Sequence, residues 1–131
     1  MSCFWQGIMA SLTTNDIKIL KLSNNNLINL IKTLQNLNTK NINTLWQNQE
    51  ISKQQKEENF IHIRGYQATT HNKGYLCGTC DPFLILLSHV LQIDIKHKYL
   101  NHEIHYSNNS KNIYFFKSNR GHFVYKTKQI N

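Results

Sequence analysis

The sequence predicts an α+β domain, with helices in the first part of the chain and an antiparallel sheet in the last. Three observations carry this. Leu27, Leu30, Ile31, Leu34 and Leu37 recur at helical spacing and define one apolar stripe. Asp81-Pro82 then opens the apolar run Phe83-Leu84-Ile85-Leu86-Leu87. Asp is a good N-cap and Pro is favoured at the first helical position, so this pair marks a helix start. Beyond Ile93 the texture changes to alternating, aromatic and β-branched residues broken by Asn and Gly turns.

The elements follow in order. A first helix is expected over 4–12, with the Ser2 hydroxyl as its cap. The segment 16–22 fits neither period. Residues 23–37 form the amphipathic helix. A second, polar helix is expected over 42–58, with Leu45, Trp46 and Ile51 facing in. Phe60, Ile61 and Ile63 make a short apolar patch ending at Gly65, and 68–74 reads as a polar loop. The helix from Pro82 is apolar on most faces and is expected at the centre. Strands are expected around Ile93 to Ile95, Ile104 to Tyr106, Asn112 to Phe116 and His122 to Lys128.

The 131 residues suit one domain spanning 1–131, with 40% hydrophobic residues for its core. Lys and Arg number 15 against 7 Asp and Glu, a net charge of +8. Thirteen of the cations are lysines scattered along the chain, without the Arg-rich stripes of many nucleic-acid binders. No nucleic-acid partner is therefore expected from charge alone, although the lysines would allow an RNA contact. The 18 asparagines match the bias of an A/T-rich, viral or parasite genome. No apolar run approaches the ~18 residues that span a membrane. The start of the chain lacks the basic region of a signal peptide. Three cysteines, an odd number, argue against a disulfide framework and for a reducing compartment. A monomer without cofactor is expected.

Two residues point to chemistry. Cys3 heads the apolar run Phe4-Trp5-Gln6-Gly7-Ile8 at the start of the first helix. A helix N-terminus lowers a thiol's pKa, and so does a neighbouring imidazolium. His122, behind Gly121 and at the start of the last strand, is the candidate base. Amides around Ser2 and Cys3 are placed to hold an oxyanion. Trp5 reads as a core aromatic or as a wall of the cleft. His105 is a rival base. Cys77-Gly78-Thr79-Cys80 is a lone C-x-x-C, which with His71, His97 or His102 would make a zinc site. A half-buried pair in a turn is the plainer reading, so no metal is expected.

The residues Gly74 to Pro82, with the helix and strand that follow to Ile95, resemble the middle block of OTU-family cysteine proteases. Cys3-Phe4-Trp5-Gln6-Gly7-Ile8 resembles that family's nucleophile helix. Ile113 to Phe116 and Gly121-His122-Phe123 resemble its closing hairpin, a feature shared with viral papain-like proteases of the nidovirus type, including those of toroviruses. The chain departs from the family pattern in three places. Only Met1 and Ser2 precede the cysteine where the family has Asp-Gly-Asn. Cys77 stands at the usual Trp. Val124 stands where an Asn or Asp orients the histidine, leaving a dyad or an orienting residue among Asn101, Asn119 and Asp94.

The resemblance implies a papain-like/OTU fold excised from a larger polyprotein. It implies a cysteine peptidase acting on peptide or isopeptide bonds after small-residue tails. The substrates would be viral polyprotein junctions and conjugates of ubiquitin or an interferon-induced ubiquitin-like modifier. The setting would be the host cytoplasm, within a replicase polyprotein that counters innate immunity. A narrow cleft for such tails would be lined by Gly78 and Gly121. The alternative is a non-enzymatic module, zinc-stabilised or OTU-like, contacting RNA or protein.

Overall fold

The computed structural model describes residues 3–119 and 122–129, the side chains of 119, 122 and 124–129 excepted. Helices α1 (Cys3–Ser11), α2 (Thr14–Leu20), α3 (Leu27–Asn36), α4 (Lys53–Gly65) and α5 (Pro82–Leu91) occupy the first two thirds. A short 3₁₀ turn spans Ala68–Lys73, and two-residue strands β1 (Leu45–Trp46) and β2 (Gln49–Glu50) precede α4. Strands β3 (Asp94–Tyr99), β4 (His102–Ser107), β5 (Asn112–Asn119) and β6 (His122–Gln129) follow. The class is α+β, helices first. No helix among the described residues is long and apolar enough to cross a membrane.

The sheet is six-stranded, in the order β2-β1-β4-β3-β5-β6. It is mixed, not antiparallel throughout as expected, because β5 runs parallel to β3. The chain leaves β4, crosses the start of β3 and enters β5 on the other flank. Asp94 makes that crossing possible. Its carboxylate accepts from the Asn108 amide at 2.7 Å and the Ser110 amide at 3.1 Å. Alternation cannot show this, since it fixes which face a residue takes and not which neighbour a strand takes.

One face of the sheet is buried. Ile95, His97, Ile104, Tyr106, Tyr114, Phe116 and Phe123 pack against the helices. The other face carries no buried residue among those described. The central helix is α5, whose residues Phe83 to Ser88 are all buried. Asp81 caps it, accepting from the amides of Phe83 and Leu84 at 3.0 and 3.1 Å, with Pro82 in the first turn as the sequence indicated.

The expected helix over 42–58 is replaced by the β1–β2 hairpin and a later helix. Gln47 and Asn48 take φ of 51° and 63°, the left-handed pair that closes a two-residue hairpin. Helix α4 starts instead at Ser52, whose hydroxyl accepts from the Gln55 amide at 3.1 Å. Phe60, Ile61 and Ile63 belong to its last turns, and Asn59 and Ile63 are its buried positions. The undecided segment 16–22 is largely α2, held by a capping box between Thr13 and Asp16.

Candidate active site

Helix α1 buries Phe4, Trp5, Gly7, Ile8 and Ser11. Its partner is β6. The Phe4 and Phe123 rings lie 4.9 Å apart, and a Cβ added to Gly7 would meet Phe123 Cδ2 at 2.7 Å and the Phe123 carbonyl at 3.6 Å. Any larger residue at position 7 would hold the helix off the strand. At the other end, Tyr114 donates to Asp16 of α2, and Tyr114 pairs with Thr127 of β6. Helix α1 therefore starts where β6 starts. The first residue of α1 is Cys3, and the first residue of β6 is His122.

Gly7→Ala gains about 1 kcal/mol of helix propensity but overpacks the α1–β6 contact at a cost of about 1–3 kcal/mol. Phe123 is backed by Phe116, on which its ring is stacked at 4.9 Å, so moving it disturbs a second core ring. The expected outcome is a net loss of up to about 2 kcal/mol in urea unfolding. A gain of about 1 kcal/mol, the full helix-propensity difference, would show that the helix is not seated as described.

Cys3 is half-buried, and as the first helical residue its N–H is one of the orphan donors of the first turn. Ser2 and Gly121 lie outside the described residues. Trp5 is 0% exposed, which corrects its reading as a cleft wall and leaves the core reading. It is boxed by Phe4, Tyr66, Tyr75 and Phe83 at 4.7–5.7 Å between centroids, and its Nε1–H donates to Tyr66 Oη at 3.0 Å.

Of the three candidates to orient the histidine, Asn119 is the residue paired with His122 across the β5–β6 ladder. Asn101 lies in the exposed β3–β4 turn. Asp94 is paired with Ile113 at the far end of β5 and is committed to the crossing loop. That is roughly 20 Å from the Asn119 position at about 3.3 Å per residue. His105 is also remote. It lies on β4, two strands beyond β5, on the face away from the helices, and pairs with Glu103 at 2.9 Å.

The segment between the 3₁₀ turn and α5 passes close to the start of α1. Gly74, at φ 91°, starts it in a conformation that favours glycine. Tyr75 then reaches Phe4, with ring centroids 4.5 Å apart. The Tyr75 hydroxyl donates to Asp81 Oδ2 at 2.9 Å, and the Gly78 amide does so at 3.4 Å. One buried carboxylate thus caps α5 with one oxygen and anchors this segment with the other. Burial raises the Asp81 pKa to about 6, against these hydrogen bonds, which lower it. Gly78 lies on a groove between this segment and α4, with His62, Tyr75, Leu76 and Cys80, and Leu76 is 88% exposed.

Cys77 does not gather with Cys80 around a metal. Among the described residues no three His, Cys, Asp or Glu side chains come together as ligands. Cys77 instead meets two residues from the sheet, His97, which the sequence offered only as a zinc partner, and Ser118, which it did not join to Cys77. Its Sγ is 3.5 Å from His97 Nε2 and 3.5 Å from Ser118 Oγ, and His97 Nε2 is 2.7 Å from Ser118 Oγ. This is a thiol–imidazole pair among the described residues, and burial keeps both groups neutral. Burial pushes the Cys77 thiol up to about 12, with the Asp81 charge adding to the effect, and pushes the His97 imidazole down to about 4. A thiolate needs the opposite shifts. Cys80 is likewise raised, to about 11, by burial and then by Asp81.

These shifts give a pH test. His97 titrates near 6.5 when unfolded and about 4 when folded, so its contribution is present above 6.5 and lost as pH falls to 4. Asp81 moves the other way, from 3.8 unfolded to about 6 folded, so its contribution is present below 3.8 and lost as pH rises to 6. Each is worth about 3 kcal/mol at ~1.4 kcal/mol per unit, and in the wild type they oppose. His97→Gln should grow more stable, relative to wild type, as pH falls from 6.5 to 4. Asp81→Asn should grow less stable over the same range. Parallel curves for all three proteins in urea titrations at each pH would refute both assignments.

No family model, curated protein or solved structure matches this chain.

Proposed function

We propose that the protein is a cysteine peptidase of the OTU or viral papain-like type, with Cys3 as nucleophile and His122 as base. The observation that carries this is the seating of α1 along β6, with Phe4 and Gly7 against Phe123. The residue before Phe4 is the thiol, and the residue before Phe123, the first of β6, is the imidazole that the sequence singled out; the reading requires that imidazole to turn to the α1 side at the strand's end. The family likeness of the fold itself rests on the same order of nucleophile helix, middle block and closing hairpin.

In the proposed reaction His122 takes the Cys3 thiol proton, and the thiolate attacks the carbonyl carbon of a peptide or isopeptide bond. The oxyanion falls toward the orphan amides at the start of α1, among them that of Cys3. His122 returns its proton to the leaving amine, and water then hydrolyses the thioester. Asn119, in register with His122, is the residue proposed to orient the imidazole. The substrates are bonds that follow a small-residue tail, at viral polyprotein junctions or at the C-terminus of ubiquitin or a ubiquitin-like modifier. A host-cytoplasmic setting within a replicase polyprotein belongs to the same proposal.

Hydrolysis of a ubiquitin C-terminal aryl amide tests the choice of base. His122→Ala should lower kcat/KM by roughly 10²–10⁴-fold. His105→Ala should stay close to wild type. The reverse pattern would overturn the assignment.

A further inference from the structure

The sheet face that the helices leave uncovered sets lysines beside a half-buried aromatic ring. Lys96 and Lys98 alternate along β3, and Lys117 stands beside Lys98 on β5, in register with it. Neighbouring strands are about 4.8 Å apart, and like charges in register repel. None of these three lysines forms an ion pair among the described residues. Two acids share the face with the three lysines: Glu103, in register with Lys98 on β4 and held below its usual pKa by its His105 hydrogen bond and by the Lys96 and Lys98 charges, and Asp94, committed to the crossing loop. In the middle of the face is a half-buried aromatic, Phe115, in register with Lys96, whose Nζ lies 5.9 Å from the ring centroid. Lys126 takes the register position on the other side of Phe115. A surface shaped only for solubility hides its aromatics.

We infer that this open face binds single-stranded nucleic acid, with Lys96, Lys98 and Lys117 contacting phosphates and Phe115 stacking a base. The lysines supply a salt-dependent attraction to any polyphosphate backbone. The phenyl ring adds what only an unpaired base can use, since bases in a duplex are stacked on one another. The lysines and the ring are spread along two neighbouring strands, which suits an extended strand and not a small anion. This surface lies on the opposite side of the sheet from α1, and the variants below leave Cys3 and His122 untouched.

Fluorescence anisotropy with a labelled oligouridylate of about twelve nucleotides, using the full chain, tests the inference. Wild type should bind with Kd of about 1–100 μM at low salt and lose roughly 15- to 20-fold between 50 and 200 mM salt, for about three phosphate contacts. The triple variant K96A/K98A/K117A should bind at least ~10-fold more weakly with a flattened salt slope. Its melting transition should not fall below that of wild type, since the removed charges repel one another. Phe115→Leu, which keeps apolar volume, should cost about fivefold or more, and Phe115→Trp should retain binding. Three results would overturn the inference: a triple variant that binds as wild type does; Phe115→Leu binding as tightly as wild type, which leaves only generic polyanion attraction; or binding to anionic phospholipid vesicles without binding to the oligonucleotide.

Discussion

Trp5→Ala is expected to destabilise the protein by about 3–5 kcal/mol, the range for removing a fully buried large aromatic. Trp5 is 0% exposed and touches four aromatic rings drawn from α1, the segment after α4, the segment before α5, and α5 itself. Removing the indole leaves a cavity that no single neighbour can fill, because each ring is held by its own element. It also leaves the Tyr66 hydroxyl without its donor. Trp5→Phe should recover much of the loss, since it restores most of the volume but not the hydrogen bond. Urea unfolding reads both variants. A loss under about 1 kcal/mol for Trp5→Ala would contradict the placement of α1 in the core.

Cys3→Ala should abolish turnover of a ubiquitin aryl amide, a loss of several powers of ten, because no other described thiol is placed to replace it. Cys77 is the obvious competitor, being 3.5 Å from His97. Yet its thiol is pushed up to about 12 and the imidazole down to about 4, so the pair holds its proton on sulfur. Cys77→Ser should therefore keep most of the activity. Cys80→Ser should do so as well. These two variants separate a misassigned nucleophile from a misassigned function, because activity that survives Cys3→Ala and dies with Cys77→Ser would move the chemistry to Cys77 and His97.

Several features were legible in the sequence for a local physical reason. Asp81-Pro82 marked the start of α5 because cap and first turn are short-range chemistry. The Leu and Ile spacing of α3 marked a helix because one stripe must face the core. The α4 start was legible but overlooked: Ser52 with Gln55 three residues later is a capping pattern. The β1–β2 hairpin was not, since Gln47-Asn48 lacks the glycine that usually announces a left-handed turn. His97 was in phase with Ile95 on an alternating strand, which indicates an inward position. Cys77 was offered to it only as a fellow zinc ligand, and Ser118 could not be read as a partner, because it comes from a distant segment. Trp5 next to a proposed nucleophile invited a cleft reading, but its neighbours in the helix, Phe4 and Ile8, share the same buried face. The parallel pairing of β3 with β5 leaves no pattern in either strand.

The central claim is that Cys3, at the head of α1, is an activated nucleophile served by the histidine that opens β6. Its most direct test is a ubiquitin bearing a C-terminal electrophile, incubated with the protein and followed by intact mass and peptide mapping. The expected result is a single adduct on Cys3, absent in Cys3→Ala and slowed by His122→Ala. An adduct mapped to Cys77 or Cys80, or no adduct with any ubiquitin or ubiquitin-like electrophile, would contradict it.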